Sequence, residues 1–154
     1  MILINDLKKY EDYIVKMRQD FHKNPETGFK EFRTSKIVKE ELLSFGFTVE
    51  DEIGVTGFVG TLVGNSSGKT IGLRADMDAL SMKEENNVPY KSQNEGKMHA
   101  CGHDVHTTSL LGAVRILHEL REEFEGTIRC IFQPGEERAP GGASIMIKDG
   151  VLQA

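Results

Sequence analysis

The sequence predicts an α/β layered fold, and three observations carry that expectation. Some segments space their apolar residues at helical intervals, while others are short and β-rich. The two kinds alternate along the chain, with turn-forming residues between them. Each polar motif falls where a strand-like run gives way to a loop.

Leu3, Leu7, Tyr10, Ile14, Met17 and Phe21 recur at three- and four-residue steps, which predicts an amphipathic helix over 3–22. Asn24-Pro25 stops it. A second helix is expected over 31–45, with Ile37, Leu42 and Phe45 on one side and Gly46 closing it. Residues 45–49 and 55–63 are β-rich, and 69–74 read as another strand. The turn Asn65-Ser66-Ser67-Gly68 makes 63–70 read as a hairpin connection. Residues 81–100 form a polar loop of about 20 residues, a length that usually signals function. Asp104 is placed to cap a helix over 105–121, whose apolar set is Leu110, Leu111, Val114, Leu117 and Leu120. Gly126 precedes a strand over 127–132, in which Cys130 alternates with Ile128 and Phe132 and so faces the core. A loop over 133–142 leads to a last helix over 143–149, ended by Gly150.

The 154 residues amount to one domain or a large piece of one. Apolar residues at 38% and charged residues at 28% suffice for an unstapled core. With 24 acids against 19 bases the net charge is −5, which disfavours nucleic acid as a partner. No apolar run approaches the roughly 20 residues of a membrane span. The N-terminus lacks the features of a signal peptide, and the 2 cysteines, Cys101 and Cys130, make no disulfide framework. A cytoplasmic location is expected.

Three segments carry chemistry: Arg74 to Leu80, His99 to His106, and Gln133 to Glu137. Ligands of open α/β sheets bind beyond the carboxyl ends of the strands, so these segments can share one crevice. The middle one offers His99, Cys101, His103 and His106, with Gly102 letting the backbone curl between Cys101 and His103. Thiolate, imidazole and carboxylate suit zinc, manganese, iron, cobalt or nickel better than magnesium or calcium. Glu136 and Glu137, adjacent in an extended loop, point different ways; one can bind metal while the other moves a proton. Asp76 and Asp78 face one side, where a carboxylate can hold a ligand histidine or simply shape an Asx turn. His22 and His118 read as structural and surface residues, and the glycines at 60–64 and 141–142 as turns.

At these segments, and at Phe21-His22-Lys23-Asn24-Pro25-Glu26, the chain resembles the M20 metallopeptidases. It is most similar to their amidohydrolase branch of hippurate hydrolases, N-acyl-amino-acid hydrolases, carboxypeptidases and auxin-conjugate hydrolases. Met98-His99-Ala100-Cys101-Gly102-His103-Asp104 is the most specific match. The resemblance implies part of a zinc-peptidase-like catalytic domain, with a mixed, mostly parallel sheet flanked by helices. It implies Cys101, His103 and Glu137 as metal ligands, Glu136 as general base and Asp78 as the supporting aspartate. Asp76 sits where many relatives place a ligand histidine, and His99 and His106 match positions around the ligands. The cofactor implied is a divalent transition metal (Zn, Mn, Co or Ni), two per complete active site. The substrate implied is an N-acyl amino acid or small peptide, whose amide is hydrolysed while Glu136 moves the proton.

Members of the family are considerably longer. Residues 1–154 therefore correspond to the N-terminal part of the catalytic domain, without the lid or dimerisation domain and the C-terminal part. The isolated chain is expected to be inactive, and its uncovered apolar surface to favour self-association. The alternative is a non-catalytic metal-binding or structural fragment of the same ancestry. A zinc nucleobase deaminase is rejected because HxE and PCxxC are absent, and a thiol oxidoreductase because CxxC is absent.

Overall fold

The computed structural model describes residues 4–153. A 3-10 turn, Ile4–Tyr10, leads into α1 (Glu11–Lys23), followed by α2 (Phe32–Ser44), β1 (Thr48–Glu50), β2 (Phe58–Val63) and β3 (Thr70–Asp76). The long loop separates β3 from α3 (His103–Glu119), and β4 (Thr127–Gln133) and α4 (Gly142–Lys148) complete the order. The expected first helix is thus split into a 3-10 and an α segment, and Leu3 lies outside the described residues.

The strands form a four-stranded sheet in the order β1-β2-β4-β3. Both pairings of β2 are antiparallel, and β3 with β4 is parallel. The sheet is mixed, as expected, but parallel pairing is the minority among the described strands. The connections explain this: β1 reaches β2 by a short loop, whereas α3 carries the chain across from β3 to β4. The hairpin expected over 63–70 does not form, because β4 lies between β2 and β3. The connection instead crosses the start of β4, where Gly64 N–H donates to Gly126 O and Gly126 N–H donates to Ser66 O. Local turn residues marked a reversal correctly, but the neighbours are set by β4, which pairs with both β2 and β3.

One face of the sheet buries Phe58, Leu62, Ile128, Cys130 and Phe132 against Phe21 of α1, Val38 and Leu42 of α2, and Leu110, Leu111 and Val114 of α3. The other face carries Val59 and Ile131, packed on Met146 of α4 and Val151. Cys130 is 0% exposed, as its alternation predicts, and burial pushes its thiol up to about 12. No helix among the described residues is long and apolar enough to cross a membrane.

Candidate metal centre

The convergence of the three polar segments follows from the topology. β3 and β4 are parallel neighbours with Asp76 and Gln133 in register, so their carboxyl ends open onto the same rim. A bridge between Leu80 and Met98 returns the far end of the long loop to that rim. Gly102, at φ 88°, then turns the chain into α3. That left-handed conformation is one that glycine adopts readily. The cap expected of Asp104 is absent: the helix starts at His103, two residues earlier than expected, and Asp104 Oδ2 instead lies 2.7 Å from His22 Nδ1 and 3.1 Å from Arg18 Nε.

Asp78, 1% exposed, joins all three segments. Its carbonyl oxygen lies 2.8 Å and its Oδ1 3.2 Å from His103 Nδ1. Its Oδ2 accepts the Glu137 N–H at 3.0 Å. Burial opposes its charge, but hydrogen bonds from His103 and from the Glu137 and Glu136 amides outweigh that and hold its pKa below the ordinary range. With Nδ1 engaged, His103 turns Nε2 toward Asp76 Oδ2 at 3.6 Å and Glu137 Oε1 at 3.9 Å. Burial alone would lower the pKa of His103, but the Asp78 hydrogen bond and the charges of Asp76 and Asp78 raise it.

Donor atoms of His103, Glu136 and Glu137 lie within 4.8 Å of one another, as do those of Asp76, His103 and His106. Cys101 is exposed and outside both groups, but its thiol hydrogen-bonds to Glu137, which with burial pushes it up to about 11. Asp76 is engaged on both sides, by His106 Nδ1 at 2.6 Å and Arg74 at 3.0 Å. His99 is buried, and neither of its ring nitrogens has a hydrogen-bond partner among the described residues; burial lowers its pKa to about 4. His118 is exposed. A cavity of about 450 Å³ opens beside Glu137, lined by Thr27, Ala79, Leu80, Met82 and Arg138.

The donors fit a divalent transition metal: a soft thiol, an imidazole with one nitrogen fixed, and carboxylates in excess of the nearby cations. Three residues of structural weight had no distinguishing local pattern. Glu84 lies in the polar loop, Arg18 on a solvated stretch of α1, and Glu31 just before α2.

The chain is similar to proteins of known family. The hippurate hydrolase of Campylobacter jejuni is 49% identical over 153 residues, covering 99% of this chain and 39% of its own length. Thermostable carboxypeptidase 2 of Saccharolobus solfataricus is 48% identical over 152 residues, covering 97% of this chain and 39% of its own. The chain therefore spans about two fifths of the length of these relatives. The YXEP protein of Bacillus subtilis, described as a dinuclear metal-binding peptidase, superposes at TM-score 0.89 with 39% identity, over 95% of this chain and 41% of that one. The model of peptidase family M20/M25/M40 matches residues 72–154, which include all three converging segments, and the chain belongs to that family.

Proposed function

We propose that this chain supplies metal-holding and proton-moving residues to a hydrolase that cleaves the amide bond of N-acyl amino acids or small peptides. The observation that carries the reading is His103, anchored through Nδ1 on Asp78 with Nε2 free to face Glu137. In this reading residues 1–154 form the N-terminal part of the catalytic domain. Cys101, His103 and Glu137 hold the metal, which is zinc, manganese, cobalt or nickel. A complete site takes two ions, and two ions need more donors than these three side chains supply. A bound divalent cation would supply Lewis acidity to the scissile carbonyl and the attacking water.

The chain's own residues do the rest. Asp78 fixes the tautomer and orientation of His103, and its bond to the Glu137 amide sets the glutamate loop against the same imidazole. Glu136, exposed at the rim, takes a proton from water and returns it to the leaving amine. The cavity beside Glu137 receives part of the substrate. The names of the relatives, a hippurate hydrolase and an N-acyl-L-amino acid amidohydrolase, support this substrate class.

The free cysteines Cys101 and Cys130 are consistent with a reducing, cytoplasmic setting. Exposed Ile71, Ile147 and Leu152 favour self-association of the isolated chain. Exposure of Glu136 also favours the second reading, in which the 154 residues alone bind metal without catalysing. The test measures amine release from acetyl- and benzoyl-amino acids, using the full reading frame of the gene. Release should require manganese or zinc and fall by roughly 10²–10⁴-fold in Glu136→Gln. Metal-independent release, or release indifferent to that substitution, overturns the proposal.

A further inference from the structure

Glu31 is a carboxylate with 0% exposure that touches no part of the metal centre. Its Oε1 accepts two backbone N–H groups, from Phe29 at 3.0 Å and Gly135 at 2.8 Å. Its Oε2 accepts the Thr56 hydroxyl at 2.5 Å. One buried side chain thus ties together the segment before α2, the β1–β2 loop, and the residue preceding Glu136 and Glu137.

The contact at Gly135 is close on its other side as well. Gly135 has φ 54°, and a Cβ there would stand 2.5 Å from the Phe29 ring. A side chain could neither adopt that backbone comfortably nor fit beneath that ring. Burial raises the Glu31 pKa above its ordinary value, with the hydrogen bonds from Thr56, Gly135 and Phe29 opposing it. Burying a carboxylate is costly, so its placement calls for a role.

We propose that Glu31 is a positioning residue of the glutamate loop, fixing through the Gly135 N–H where Glu136 and Glu137 stand relative to Asp78 and His103. It acts from beneath the loop, while Asp78 holds the same loop from the rim through the Glu137 amide. Two anchors, at Gly135 and Glu137, bracket Glu136, so releasing the first frees it. A displacement near 1 Å at such a residue can cost on the order of a hundredfold in rate. The effect on metal binding rests on the proposed role of Glu137 as a ligand; the effect on the loop does not.

The experiment compares Glu31→Asp, Glu31→Gln and Thr56→Val in the 154-residue chain. Aspartate keeps the charge but draws the acceptor back by a methylene. Glutamine keeps an acceptor for Phe29 and Gly135 and can donate to Thr56. Thr56→Val removes the side-chain partner, which lies outside the glutamate loop, and controls for lost stability. In the metal-free chain, amide exchange over 135–138 should quicken at least tenfold in Glu31→Asp and stay near wild type in Glu31→Gln and Thr56→Val. Zinc affinity by calorimetry should follow the same order, with about a tenfold loss in Glu31→Asp alone. Unchanged exchange in Glu31→Asp, or equal quickening in all three, overturns the proposal. Quickened exchange with zinc affinity unchanged would leave Glu31 as the anchor and remove Glu137 from the ligand set.

Discussion

His22 and His103 are 4% and 5% exposed, and each imidazole sits among carboxylates. At His22 both nitrogens are taken: Nδ1 by Asp104 at 2.7 Å and Nε2 by Glu84 at 3.1 Å. Arg18 adds a cation to Asp104 and lies 4.7 Å from the centroid of the Tyr90 ring, which meets the His22 ring edge-on. At His103 only Nδ1 is held, and Nε2 faces Asp76 and Glu137 beyond hydrogen-bond distance. A saturated imidazole cross-links α1, the long loop and α3. A half-saturated one keeps a lone pair for an incoming cation. The number of committed nitrogens is what distinguishes the two histidines; burial and charged neighbours do not.

The largest effect expected from this contrast is on stability. His22→Leu leaves Glu84 buried without its imidazole partner and Asp104 with Arg18 as its remaining side-chain partner. Urea unfolding of the metal-free chain should lose about 3 kcal/mol. His103→Gln should cost far less in the same measurement. Equal losses in the two variants would break the distinction between them.

Metal binding should reverse the order. His103→Gln removes the nitrogen that faces Glu137 and should weaken cobalt or zinc binding by on the order of a hundredfold or more. His22→Leu, measured where it is folded, should stay within a few-fold of wild type. Cobalt absorption provides a second readout: its thiolate charge-transfer band should disappear in Cys101→Ser. A persisting band would remove Cys101, which the structure places against Glu137, from the ligand set.

Asp78→Asn sharpens the comparison one step further out. The asparagine keeps the shape but loses the charge that holds His103 Nδ1, and its amide can no longer accept from the Glu137 N–H and serve His103 equally well. Zinc affinity should fall by about tenfold to a hundredfold. An unchanged affinity would mean that the Asp78 carbonyl, 2.8 Å from the same nitrogen, suffices to orient the ring.

The contrast also marks what could be read from the sequence. The pattern at 99–106 singled out His103, which the structure brings to Glu136 and Glu137, whereas its neighbour Cys101 lies outside both donor groups. The helices and strands were legible because Leu110, Leu111 and Val114, or Ile128, Cys130 and Phe132, repeat with the period of their element. Asp104 was misread because capping is a local rule, while His22 lies 82 residues away. Glu31 left no trace because its partner Gly135 lies 104 residues away. The strand order escaped for the same reason, since turn residues at 65–68 report a reversal and not the neighbour it leads to. Periodicity reports burial, and proximity along the chain reports clusters; long-range pairings of single buried polar groups have no periodic signature.

The smallest effect lies in the pH dependence of the His22 cluster. Burial disfavours the Glu84 carboxylate, but the Ser92 N–H, His22 and Asn86 together outweigh it and hold its pKa below its ordinary 4.5. Near and below that pH the native chain therefore binds fewer protons at Glu84 than the unfolded chain does. The resulting stability is present above pH 4.5 and is lost as pH falls through the native pKa. Asp104 also holds His22 and is itself paired with Arg18, so the cluster does not switch through Glu84 alone. Glu84→Gln keeps an acceptor but cannot ionise. Its melting temperature should lie below wild type at pH 6 and converge with it toward pH 3. A gap that stays constant, or widens with acid, would mean that Glu84 clamps His22 by shape and not by charge.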